Sequence, residues 1–440
     1  MEGRRATQPP AVAALDEERK ALSRAIGERK ARGESVADLV ARSRALSAQM
    51  AELSRPATGR TGEEPHRPTT TDVLTTVPQV VALRDEWNEL AGRSPAQSPF
   101  LTWPWMASWY ETYGDAGHIR CLAVRDGAGH LVGLAPLFLG RHRDAQEGLN
   151  RRQIGFASTC GYSWGVYLEL VAAPHAQETV AEAAAAYLHA GADDWDCVKL
   201  LRVPAESPTT WPLVQALAGH GWRVTVRRNS LRGSVMSLPT DPAAILAALR
   251  SAKLRDNIRH AQRRLARDHP RHAFRLCADR SELGERLEEY MALNVARRRH
   301  LREPSYFRYP PYRACSAQAL QRFWEAGWLR LLLLELEGRP VGFEPFLVYR
   351  QRVYLLTPAW SLEEAEHEVG HLLFVQAMAT AIAEGAREAD FLVGTDTYKA
   401  RYASLSRSLL NLTAWPSRRH EARSLGRDLW SRALRRLPAP

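Results

Sequence analysis

Two stretches of this chain repeat one uncommon pattern, and that repetition limits what it can fold into. Residues 119–139 read IRCLAVRDGAGHLVGLAPLFL, and residues 329–349 read LRLLLLELEGRPVGFEPFLVY. Each is a pair of apolar runs about a Gly-containing turn, the signature of a β-hairpin. In each, a Val-Gly pair (Val132-Gly133, Val341-Gly342) precedes a proline (Pro136, Pro345) at the same spacing. Proline in a central strand removes a ladder donor, so it marks a bulge or a splayed edge. Two copies of such a strand predict a duplicated domain; chance similarity between amphipathic hairpins is the alternative.

The flanking segments fit two α/β units. Before and after the first hairpin the pattern predicts a helix over 78–91, an aromatic stretch over 100–113, a helix near 177–190 and a strand near 197–203. Around the second it predicts a basic helix over 242–267, a helix over 281–300, a strand over 353–357, a helix over 369–384 and a strand over 389–393. At 440 residues the chain exceeds what one core usually serves. The expected domains are 72–240 and 241–420, both α/β with mixed central sheets, then a basic tail over 421–440.

The N-terminal segment is different. Val12, Leu15, Leu22 and Ile26, then Val36, Leu39, Leu46, Met50 and Leu53, follow heptad a/d spacing on either side of Gly33. That predicts an antiparallel helical hairpin, a coiled coil over 10–55, tied on by a Pro-, Thr- and Gly-rich linker over 56–71.

Charge bears on partners. Lys and Arg number 60 against 49 Asp and Glu, a net charge of +11. Arginine excess fits either a GC-rich genome or a polyanionic partner. No apolar run is long enough to span a bilayer, and Met1 to Ala6 lacks a signal-peptide core, so a cytoplasmic protein with no membrane partner is expected. The cysteines (Cys121, Cys160, Cys197, Cys277, Cys315) are scattered and never spaced as CxxC, which fits reduced thiols and no metal site.

Three stretches carry a family resemblance. They are Pro99-Phe100 with Trp103 to Trp109 leading into strand 132–137, the basic helix Leu254 to Leu265, and Asp390-Phe391-Leu392-Val393-Gly394 followed by Tyr398-Lys399 and Tyr402. Together they resemble the double-GNAT acyltransferases of the CelD/BcsL-like branch, related to the Fem peptidoglycan aminoacyltransferases. The resemblance implies tandem GNAT-like domains over 72–240 and 241–420, the second carrying the transferase site. Separately, SRAIGERKARGES over 23–35 resembles the tip of the N-terminal arm of seryl-tRNA synthetase. That resemblance implies a tRNA-binding hairpin, with Arg24, Arg29, Lys30 and Arg32 on the tRNA; a dimerisation hairpin is the alternative.

The resemblances imply an aminoacyl-tRNA donor, seryl-tRNA first, as a co-substrate with no further cofactor, and a small-molecule acceptor, in specialised metabolism or in cell-wall assembly. A dedicated aminoacyl-tRNA synthetase would be a further partner. An aminoacyl ester can be attacked directly by an amine or hydroxyl, so the protein must orient the reactants, take up a proton and stabilise an oxyanion. No HExxH or GxSxG motif is present. The basic row Lys253, Arg255, Arg259, Arg263 fits either phosphate contact or a solvated face, and Arg297, Arg298 and Arg299 could extend it. In Fem-like enzymes the lysine matching Lys399 sits at the transfer site, with Tyr398 beside it. Glu344 and Asp390 are candidate bases, and Trp105, Trp109 and Tyr354 candidate acceptor contacts. The turn Leu362 to Gly370, with Glu363, Glu364, Glu366 and Glu368, is acidic where CoA-dependent GNAT enzymes cradle a pyrophosphate. CoA-dependent N-acylation and non-enzymatic tRNA binding are the competing functions.

Overall fold

A computed structural model describes residues 69–114, 118–143, 150–158, 165–394 and 399–417. The chain divides into compact units 1–66 and 67–440, and every described element lies in the second. The hairpin expected over 10–55, with Arg24, Arg29, Lys30 and Arg32, lies outside the described residues.

In chain order the first half runs β1 (Thr70–Leu74), α1 (Val77–Val81), α2 (Arg84–Arg93), α3 (Trp103–Tyr113), β2 (Ile119–Arg125), β3 (Leu131–Arg143), β4 (Asn150–Phe156), β5 (Val171–Ala172), α4 (Gln177–Ala190), β6 (Cys197–Pro204), α5 (Thr210–Gly219) and β7 (Arg223–Arg228). The second runs β8 (Arg232–Ser237), α6 (Ile245–Ala248), α7 (Ala252–Asp268), β9 (His272–Leu276), α8 (Arg280–His300), α9 (Pro310–Glu325), β10 (Leu329–Leu336), β11 (Arg339–Tyr349), β12 (Arg352–Leu355), β13 (Ala359–Trp360), α10 (Val369–Ala383), β14 (Glu388–Gly394), α11 (Lys399–Tyr402), β15 (Leu405–Arg407) and β16 (Leu409–Trp415). The helix expected over 78–91 breaks at Ala82-Leu83 into α1 and α2. The one expected over 242–267 breaks before Ser251, whose side chain caps α7 by accepting from the Leu254 amide.

The repeated strand does the same work in both halves. Pro136 on β3 and Pro345 on β11 cannot donate, yet their carbonyls accept from the amides of Ala157 (2.7 Å) and Leu356 (3.1 Å), each just past the next strand. Gly133 and Gly342 let the crossing helix close on the sheet. A Cβ on Gly133 would fall 2.0 Å from a Val180 methyl of α4, and one on Gly342 3.0 Å from Leu373 and Val369 of α10. Each half then forms one parallel pair, β4 with β6 and β12 with β14. The fold is therefore a tandem of α/β domains with mixed sheets, as the sequence pattern predicts.

The sheets do not respect the boundary at residue 240. Their orders are β1-β2-β3-β4-β6-β16-β7 and β15-β8-β14-β12-β11-β10-β9, with β5 on β3 and β13 on β11. Thus β8, which precedes residue 240, lies against β14 of the second sheet. In return β16, from the end of the chain, lies between β6 and β7 of the first. Sequence proximity gave no sign of this exchange, because each swapped strand leaves its chain neighbour for a distant one.

Candidate active site

The parallel strands β12 and β14 pair only from Arg352↔Glu388 to Tyr354↔Asp390. Beyond that point they part. Leu392 adopts a left-handed conformation (φ 56°) at a bulge between Asp390 and Val393, which turns the end of β14 aside. A cavity of about 470 Å³ occupies the gap, with Leu355 to Pro358 on one wall and Phe391 to Val393 on the other. The head of α10 closes a third side through Val369, Gly370 and His371, and Phe374 and Tyr402 supply an apolar floor.

Five cationic side chains line this cavity: Arg202, Arg297, Arg298, Lys399 and Arg401. Lys399 is 7% exposed, and its ammonium donates to the Val393 carbonyl at 3.1 Å. Burial lowers the Arg202 pKa, so its charge stands in a poorly solvated place. Arg297 stacks 3.6 Å above the centre of the Trp360 ring. Arg202 is a site residue that the sequence did not single out: it takes a left-handed conformation (φ 58°) near the end of β6, which breaks the strand's alternation and which no residue pattern announces.

Glu344 lines the same cavity at 3% exposure, and burial pushes its pKa well above the usual carboxylate range. His371 lines it too; burial lowers its pKa, and its Nδ1 meets the Tyr402 hydroxyl.

Other expected site residues stand elsewhere. Asp390 is fully buried and does not line the cavity. It accepts from the Tyr167 hydroxyl (2.8 Å), the Leu392 amide (2.7 Å) and Arg407 (2.6 Å). Burial raises its pKa to about 6 although Arg407 pulls it down. It holds the bulge and ties the halves together rather than meeting substrate. Trp105 and Trp109 are core: Trp105 packs on Phe100 and Phe323 and donates to Ser158 Oγ at 2.7 Å, and Trp109 packs on Phe138. Neither reaches the cavity, because α3 buries its aromatic face against α9 and the first sheet. Tyr354 lines a second cavity of about 320 Å³ with Tyr167, Glu169, Arg352 and Arg407, and donates to the Gln97 carbonyl at 2.7 Å. Tyr398 lies outside the described residues.

The basic row runs along α7, whose buried face is Leu254, Ile258, Ala261 and Leu265. Lys253, Arg259 and Arg263 are exposed, and Arg255 is half-buried. Arg255 donates to the Leu249 carbonyl at 2.6 Å, and Arg259 pairs with Asp256 at 2.9 Å. None of the four lines the cavity. Of the acidic turn, Glu364 faces His269 and His367, Glu366 pairs with Arg264, and only Glu368 lines the cavity. The wall of four carboxylates expected there is one carboxylate at the rim, since Glu366 turns to Arg264 and Glu364 to the two histidines.

Residues 252–400 match the acetyltransferase (GNAT) domain family. A search of curated proteins finds no match. Among solved structures, a conserved protein of unknown function from Bacteroides thetaiotaomicron is 11% identical, with 79% of this chain and 100% of that chain covered and a TM-score of 0.52. FemX is 13% identical, with 78% and 96% covered and a TM-score of 0.50. At these identities the likeness is one of fold. With the splayed parallel strands and the family match, it shows a tandem GNAT-like α/β fold in which residues 252–400 match an acetyltransferase domain.

Proposed function

We propose that the protein transfers an aminoacyl group, serine first, from a charged tRNA to an amine or hydroxyl of a small acceptor. The observation that carries this is the character of the cavity where β12 and β14 part. Its cations suit the phosphates and sugar edge of a tRNA terminus. The head of α10, the natural seat for a diphosphate, opens on this cavity but is crowded. Trp360 packs onto Gly370 so closely that a Cβ there would lie 2.7 Å from the indole, and Glu368 adds a negative charge. Lys399 then stabilises the developing oxyanion, and Glu344, ionised, takes the proton from the attacking amine or hydroxyl. The leaving group is the 3′-terminal ribose hydroxyl of the tRNA. Serine rests on the KARGE turn of the N-terminal segment, and the family likeness to Fem-type transferases supports the tRNA donor.

The test incubates the protein with separately charged, labelled tRNAs and candidate acceptors, and follows which amino acid leaves its tRNA. Transfer from seryl-tRNA supports the proposal whole. Transfer from another charged tRNA keeps the donor class and removes the serine assignment. A clear micromolar calorimetric isotherm with acetyl-CoA, and no transfer from any charged tRNA, replaces it with CoA-dependent acylation.

A further inference from the structure

Behind the cavity rim, three side chains that the transfer chemistry does not use converge where α7 ends. His269 follows that helix; Glu364 and His367 lie on the 3-10 turn Leu362–His367 that leads into α10. Their donor atoms all lie within 4.8 Å of one another. His367 Nδ1 is 3.0 Å from Glu364 Oε2, and His269 Nε2 is 3.5 Å from the same oxygen. Donors at about 2.0–2.1 Å from a tetrahedral zinc stand roughly 3.3 Å apart, so the set already has the spread an ion requires.

A second observation points to a ligand. His367 is 4% exposed, and its buried Nδ1 has no hydrogen-bond partner among the described residues. A buried ring nitrogen needs a partner, and here it faces a carboxylate and a second imidazole. The opposite nitrogen, Nε2, lies 3.4 Å from Asp268 Oδ2. A carboxylate in that position holds the proton on Nε2 and leaves the Nδ1 lone pair for a metal. The charge is suitable. Arg264 and Arg267 engage Asp268, and Arg264 also engages Glu366, so Glu364 remains to supply the anionic ligand. Two imidazoles and one carboxylate favour Zn2+ over the hard cations Mg2+ and Ca2+, which prefer all-oxygen sets.

We propose that His269 Nε2, Glu364 Oε2 and His367 Nδ1 bind one Zn2+ ion, with Asp268 orienting His367 and water completing the coordination. The ion pins the turn to the end of α7. Because Ala365 and Glu368, which flank His367, line the active-site cavity, the ion also fixes the cavity rim. This site does not depend on which acyl donor is used.

Chelator-treated full-length protein is titrated with Zn2+ by calorimetry, and its melting is followed with and without the metal. One Zn2+ per chain and a higher Tm with metal are expected. His367→Ala and His269→Ala should abolish that binding, and Asp268→Asn should loosen it about 10-fold, the cost of losing an outer partner. His220→Ala, remote from the cluster, should bind as the parent does. Glu364→Gln keeps the shape of the turn and should also lose the ion, so it carries the test if a histidine variant fails to fold. A parent chain that takes up no Zn2+, or Glu364→Gln and His269→Ala variants that bind it undiminished, overturns the site.

Discussion

Lys399 and Glu344 share one cavity and are paid for differently by the fold. The Lys399 ammonium is held at the bulged end of β14 by the Val393 carbonyl. Removing one donor to a developing oxyanion commonly costs about 100-fold or more in rate, roughly 3 kcal/mol. Lys399→Ala should therefore lower single-turnover transfer by about that factor while leaving tRNA affinity nearly unchanged. Near-normal transfer would make the lysine structural. Glu344 is different because burial raises its pKa. A carboxyl that binds its proton more tightly when folded contributes stability that is fully present below its unfolded pKa and lost as pH rises through the raised folded value. Glu344→Gln cannot ionise. Its Tm relative to the parent should therefore rise from acid to mildly alkaline pH, while transfer falls and loses the rise with pH that an ionising base imposes. A variant with parental transfer at all pH values would remove Glu344 from the chemistry.

At the scale of elements, the helix α7 separates two kinds of cation. Arg255 and Arg259 already have intramolecular work, at Leu249 and Asp256. Lys253 and Arg263 are exposed on the helix. If the row meets tRNA, Lys253→Ala with Arg263→Ala should weaken binding across all tRNAs and reduce the salt slope by about 1 per residue removed. An unchanged slope in a filter-binding series would leave α7 a solvated face. Elements with strong periodicity were legible in sequence: β2, α4, α10 and β14 fall within a residue or two of their expected bounds. Strands β7, β15 and β16 were not. Strand β15 is only three residues long, and RVTVRR over 223–228 reads as surface because its arginines mask the apolar alternation. Glu344 was legible because a lone carboxylate in an apolar strand must have a reason. Trp105 and Trp109 misled because a buried aromatic helix face and a ligand pocket have the same composition.

Over the whole described unit, the exchange of β8 and β16 decides what can be cut away. β7 continues through Asn229 into β8, and β15 through Ser408 into β16, so both crossings leave one sheet and enter the other. The crossings meet at Asn411, whose side-chain carbonyl accepts from the Asn229 amide group at 2.8 Å and the Arg202 backbone at 3.1 Å. A chain ending at Ser404 would lose β16 from between β6 and β7, stranding two rows of backbone groups that pair in the parent. It would also lose Arg407, leaving Asp390 buried without its cation. Breaking a buried pair from one side typically costs about 3–5 kcal/mol, comparable to much of a domain's stability. That truncation should therefore fail to give a cooperative melt by circular dichroism, although it leaves residues 252–400 of the matched transferase domain intact. Removing residues 1–68 takes away none of the described elements and should leave the melt near the parent's. If the chain ending at Ser404 melts cooperatively near the parental Tm, the halves are independent folds and the exchange is an ornament on them.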